Sequence, residues 1–149
     1  MLSWLARPML MKNLARLNSG DPGPVLRMDA PDVHFRFPGE SSWAAELQTA
    51  EQHAAWVARF VEAGIQLEPD QVVVQGPPWH MTMCVRGTSF LVGPHGARIY
   101  PNRFVMWGHL RWGRLKDYEV YEDTQATARL DAFLAASGRS GSAPARSSL

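Results

Sequence analysis

Two side chains in the last third of the chain have the types and placement for acid–base chemistry. They lie in Phe104-Val-Met-Trp-Gly-His-Leu-Arg-Trp112, which meets Gly113 and returns as Arg114-Leu-Lys-Asp-Tyr-Glu-Val-Tyr-Glu-Asp123. The stretch reads as a long β-hairpin with a two-residue loop at Trp112-Gly113. With that loop, Arg111 faces Arg114, His109 faces Lys116, Trp107 faces Tyr118 and Val105 faces Val120, all on one side of the ribbon. His109 then has the chemistry of a general base near neutral pH, and the Tyr118 hydroxyl that of a donor to a developing oxyanion. The competing reading makes His109 a rim histidine and Tyr118 an ordinary cross-strand partner of Trp107. A register shifted by one would bring in Asp117 or Glu119 instead and restore a carboxylate base.

The remaining candidates offer less. His34 and Arg36 alternate with Phe35 and Phe37, which puts the polar pair on an outer face if the phenylalanines point inward. His80 opens a strand whose apolar set is Trp79, Met81, Met83 and Val85; His53 lies in a helix and His95 in a Gly/Pro turn. No two histidines and an acid share metal-ligand spacing, so no metal is expected. No phosphate loop, nucleophile elbow or dinucleotide fingerprint occurs, so no cofactor is expected either. Asp123 reads as the cap of a closing helix.

These residues need a scaffold, and the composition supplies one. The 149 residues suit one domain, and 46% hydrophobic residues, with six Trp and six Phe, suffice for a substantial core. The 15 Lys and Arg nearly balance 14 Asp and Glu, which disfavours a nucleic-acid partner. Cys84 is the single cysteine, so no internal disulfide forms and a reducing cytoplasm is the expected compartment. No apolar run is long enough to span a bilayer.

The order of elements is legible from periodicity. A first amphipathic helix runs from about Pro8 to Leu17, and Gly20 to Pro24 forms a turn cluster. Asp32 to Phe37 alternates as a strand, and Thr49 to Gln52 offers a capping box for a helix over about 50–63 carrying Trp56, Val57, Phe60 and Val61. Strands follow at 71–75, 80–86, 98–112 and 114–122, then a helix carrying Ala126, Leu130, Phe133 and Leu134. Residues 137–149 are rich in Ser, Gly and Ala and read as a disordered tail, leaving 1–136 as the domain. Early helices and late strands argue for an α+β fold with an antiparallel sheet.

That order resembles the nuclear-transport-factor-two-like superfamily, and within it the SnoaL-like proteins. The residues that carry the likeness are Asp29 to Gly39, similar to the family's first strand after an acidic turn, and Trp112 to Thr124, similar to its closing hairpin. The resemblance implies a strongly curved sheet wrapped around helices as a cone, with a deep apolar pocket and pairing through the sheet as a homodimer. It places Val120 inside, and with it Trp107 and Tyr118, with His109 and Lys116 nearer the mouth. Ketosteroid isomerases use an acid where this chain has Phe37 and a second near Trp107 or Gly108; limonene epoxide hydrolases use acids at Val120 and within Met81 to Arg86. All four sites lack an acid here, so neither mechanism carries over. Two functions remain open. One is an acid–base enzyme of cyclase, isomerase or dehydratase type acting on an apolar polyketide- or terpenoid-like small molecule, its pocket lined by Phe35, Phe37, Trp56, Phe60, Trp107 and Val120. The other is a non-catalytic ligand-binding or dimerisation module whose own aromatic side chains fill the pocket.

Overall fold

The computed structural model describes residues 3–138, so the expected tail falls outside the described residues from 139 onward. Four α-helices and six strands follow one another as α1 (Ser3–Asn18), α2 (Gly23–Leu26), β1 (Asp29–Phe37), β2 (Ala45–Leu47), α3 (Ala50–Glu62), β3 (Ile65–Gln75), β4 (Met81–Val92), β5 (Arg98–Arg111), β6 (Arg114–Glu122) and α4 (Thr124–Ala136). The strands form one sheet in the order β2-β1-β6-β5-β4-β3. All neighbours run antiparallel except β1 and β6, which are parallel. The chain reaches that pairing by leaving β1 through β2 and α3 and building the meander β3 to β6 back toward it.

Local chemistry explains most boundaries. Thr49 caps α3 by accepting the Gln52 amide at 3.2 Å, while the Gln52 side chain reaches back to the Gln48 amide at 2.9 Å. Asp123 caps α4 by accepting the amides of Gln125 at 2.9 Å and Ala126 at 3.3 Å, as its position predicts. α1 starts earlier than its proline suggests: it begins at Ser3 and holds Pro8 inside it, so the proline removes one internal hydrogen bond rather than opening the helix. The sequence also understates β3 and β4, which extend to eleven and twelve residues, with β3 at the sheet edge and β4 paired on both sides. β2 and α2 fall in segments that show no periodicity.

The core lies between the sheet and the helices. Leu10, Leu14 and Leu17 of α1, Val57 of α3 and Leu130 and Leu134 of α4 meet Val33, Phe35, Met83, Val85 and Phe104 from the sheet. The N-terminal helix is tied to the far edge by Asn18, whose side chain accepts the Leu67 amide at 2.9 Å and donates to the Leu67 carbonyl at 2.7 Å. This bidentate contact gives α1 a fixed seat over the sheet.

The β5–β6 hairpin decides which residues point inward. Its loop is the two-residue turn at Trp112 and Gly113, with φ of 52° and 76°, both left-handed as a primed turn requires. Arg111 pairs Arg114 and Leu110 pairs Leu115, but His109 then pairs Asp117, leaving Lys116 as an extra residue in β6. This bulge breaks the simple alternation. Beyond it Gly108 pairs Tyr118, Trp107 pairs Glu119 and Met106 pairs Val120. The β6 face is therefore the expected one, with Tyr118 and Val120 inside, but the β5 face is reversed.

Gly108 is required by this packing. A Cβ there would lie 2.6 Å from the Tyr118 Cβ and 2.8 Å from the Asp117 carbonyl oxygen. Gly108→Ala must push β5 and β6 apart, and should destabilise the fold by about 1–3 kcal/mol in equilibrium urea unfolding. An unchanged unfolding midpoint would contradict the register.

Candidate functional site

Among the described residues, the most buried polar residue is a histidine. His53 sits on α3 one turn before Trp56 and Val57, facing the sheet with no solvent exposure. Its Nδ1 lies 2.6 Å from Oδ2 of Asp29, the first residue of β1, and its Nε2 forms a short contact with the Tyr118 hydroxyl of β6. Three elements thus converge on one imidazole. A carboxylate only accepts, so Nδ1 must carry a proton and donate it to Asp29. In the neutral ring Nε2 is then the acceptor of the Tyr118 O–H.

The electrostatics of this chain are those of a dry interior. The side chains of His53 and Asp29 are 0% and 1% exposed, and Asp29 Oδ1 has no hydrogen-bond partner among the described residues. The His53 bond is therefore the main compensation for burying that carboxylate. Burial, and next the charge of Asp29, push the Tyr118 hydroxyl well above the usual phenol range. Tyr118 therefore rests as a neutral phenol in short contact with His53 Nε2. Phe35 packs against all of it, with ring centroids 4.9 Å from His53 and 4.7 Å from Tyr118.

Tyr118 also lines a cavity with a volume of about 80 Å³. Phe35, Phe37, Trp56, Phe60 and Val120, all expected pocket residues, line it too. So do Met28, Met83 and Met106, and its titratable lining residues are Tyr118 and Glu122. Glu122 is held by Asn102 and Thr127, and burial pushes its carboxyl above the usual range.

Two expected pocket residues lie elsewhere because of the bulge at Lys116. Trp107 is 49% exposed on the outer face of the sheet, opposite Glu119. His109 is on that same face, its Nδ1 2.7 Å from Asp117 Oδ1 and its ring stacked on His80 at 5.8 Å. Neither reaches Tyr118 or the cavity. Lys116, expected at the mouth, bonds Asp32 at 2.5 Å on the surface. The sequence reading missed His53 and Asp29, although a signal existed: His53 falls at i of the i, i+3, i+4, i+7 set completed by Trp56, Val57 and Phe60, and Asp29 shares strand parity with Val33, Phe35 and Phe37.

A second, partly buried polar cluster braces the wall. Arg59 of α3 donates Nη1 to the Ser42 carbonyl at 2.6 Å and Nη2 to the Ser42 hydroxyl, while Ser42 donates its amide and hydroxyl to Asp131 of α4 at 2.8 and 2.5 Å. The guanidinium lies 4.0 Å over the Trp43 ring, and Trp43 packs edge-on against Trp56. This fixes the segment between β1 and β2 against the aromatic end of the cavity. Among the described residues no group of three or more His, Cys, Asp or Glu is placed to hold a metal ion, and no helix is long and apolar enough to cross a membrane.

No protein-family model matches the chain and no curated protein matches it. Solved structures do. A nuclear-transport-factor-two-like protein of unknown function from Burkholderia pseudomallei is 21% identical over 84% of this chain and 95% of its own, with a TM-score of 0.67. TerC, crystallised with polyporic acid, is also 21% identical, over 84% of this chain and 96% of its own, again at 0.67. A proposed SnoaL-like polyketide cyclase from a Jannaschia species is 16% identical over 88% of this chain and 94% of its own, at 0.62. The likeness extends along nearly the full length of each of these chains and includes the sheet, the helices and their order, so this protein has the nuclear-transport-factor-two-like fold, with SnoaL-like proteins among those it resembles.

Proposed function

We propose that this protein is a cofactor-independent acid–base enzyme of cyclase, isomerase or dehydratase type acting on an apolar small molecule, with Tyr118, His53 and Asp29 as its proton-handling groups. The observation that carries the reading is the unbroken chain from a buried carboxylate through an imidazole to a phenol that lines an apolar cavity. An aromatic core needs no such chain, and burying one is costly unless it is used or fully compensated.

The chemistry follows from the tautomer. Tyr118 alone is too weak a base to take a proton from carbon. When its own proton passes to His53 Nε2, its oxygen gains phenolate character and accepts the substrate proton in the same step. Asp29 stabilises the imidazolium that forms and keeps the ring oriented. Reversing the transfer returns a proton to a different substrate atom, which is the net chemistry of isomerisation, cyclisation and dehydration alike. Low dielectric around the chain strengthens each of these interactions. The cavity wall selects an apolar substrate, and its three methionines can repack to admit one larger than the resting space.

A cyclic ketone such as 2-tetralone tests this directly, through exchange of its α-protons in D₂O followed by NMR. Tyr118→Phe and His53→Gln should each slow the catalysed exchange by about 10²-fold or more, whereas His109→Ala should leave it unchanged. Catalysis that survives both core substitutions would refute the assignment. The alternative, a non-catalytic ligand-binding module, is favoured only by the aromatic packing of Trp43, Trp56 and Phe60 at the cavity's end, and predicts binding without exchange.

The raised Tyr118 hydroxyl also sets a pH dependence. In the unfolded chain the phenol ionises near its ordinary value of 10.0, whereas in the fold it stays protonated, so its contribution to stability is complete below that pH and is lost as pH rises above it. Urea unfolding between pH 9 and 11 should show wild type losing stability more steeply than Tyr118→Phe. Parallel curves would show that the hydroxyl is not held neutral.

A further inference from the structure

We propose that Glu122 is a second binding group of the same cavity, so that the ligand meeting Tyr118 is an elongated apolar molecule with an oxygen function at each end. This rests on reading the cavity as a small-molecule site. Glu122 follows Tyr118 and Val120 on the inner side of β6, and four residues of strand separate the two polar residues by about 13 Å at Cα. On the concave side the side-chain tips come closer than that. Between them the lining contributed by β6 is Val120 alone.

The carboxyl is placed rather than merely buried. Asn102 Nδ2 lies 3.1 Å and Thr127 Oγ1 3.0 Å from the same oxygen, Oε2. Asn102 also approaches Thr127 Oγ1 and the Asp123 carbonyl, each at 3.1 Å, so β5, β6 and the first turn of α4 meet at this point. Asn102 and Thr127 are themselves buried, at 6% and 4% exposure. Ser89 is a further side-chain partner, so the carboxyl is held from three sides where it lines both the cavity it shares with Tyr118 and a smaller space of about 20 Å³ bounded by Trp43, Ser89 and Leu130. Burial, the largest influence on it, favours the protonated form, in which the group both donates to a carbonyl and accepts from a hydroxyl. Structural anchoring alone would be met by a residue turned away from the cavities.

The test compares 4-phenylphenol with 4,4′-biphenol, two rigid apolar probes that differ by one terminal hydroxyl, in isothermal titration calorimetry. Wild type should bind the diphenol about tenfold more tightly, the difference expected for one additional net hydrogen bond. Glu122→Met should abolish that preference while leaving 4-phenylphenol affinity within about twofold of wild type, since only contacts at the far end change. Glu122→Gln keeps the shape and a hydrogen-bonding head, should fall between the two, and serves for the comparison if the Met variant does not fold. Equal binding of the two probes by wild type, or a parallel loss of both in the variants, overturns the proposal and leaves the Tyr118 reading intact. Failure of wild type to bind either probe overturns both.

Discussion

One buried interaction organises this molecule: the Asp29–His53 pair beneath Tyr118. A carboxylate with no solvent contact needs a donor, and the only side chain that reaches it among the described residues comes from α3. That requirement fixes α3 against the start of β1. The hydroxyl of Tyr118 then fixes β6 against both, across the parallel β1–β6 pairing, where Phe35 lies beside Tyr118. Without the pair, the helix would still have an apolar stripe to bury and Arg59 to anchor its far end, but its first turns would lose their polar tie to β1. Removing one partner of such a pair leaves an uncompensated buried group and costs about 3–5 kcal/mol in other proteins.

The same interaction links architecture to chemistry. Each group is held by a different element, so the proton path exists only in the folded chain and is aligned before any ligand arrives. The Arg59–Ser42–Asp131 cluster does comparable work at the other end, fixing Trp43 and hence the aromatic wall. Between the two lies an apolar space into which, among the described residues, Tyr118 and Glu122 bring the titratable groups.

Much of this was legible in the sequence because it depends on local rules. Thr49 and Asp123 announce their helices through capping, Trp112-Gly113 announces its turn, and the stripe of α3 announces its buried face. The inward set Phe35, Phe37, Trp56, Phe60, Tyr118 and Val120 follows from periodicity together with the family likeness. What stayed hidden depends on contacts between distant residues. His53 is 24 residues from Asp29 and 65 from Tyr118, and a lone histidine on an apolar helix face has no local partner to reveal it. The bulge at Lys116 has no glycine or proline to mark it, yet that one extra residue turns Trp107 and His109 outward and Met106 and Gly108 inward. A two-residue period carries no information about where it will be interrupted.

The proton path requires His53 to donate from Nδ1 to Asp29 and to accept at Nε2 from Tyr118. Nitrogen-15 NMR of the histidine side chains at neutral pH measures this most directly. The expected spectrum has a protonated Nδ1, an unprotonated Nε2, and an Nε2 resonance that shifts in Tyr118→Phe with little change at Nδ1. A proton on Nε2, or a His53 spectrum indifferent to Tyr118→Phe, would contradict it.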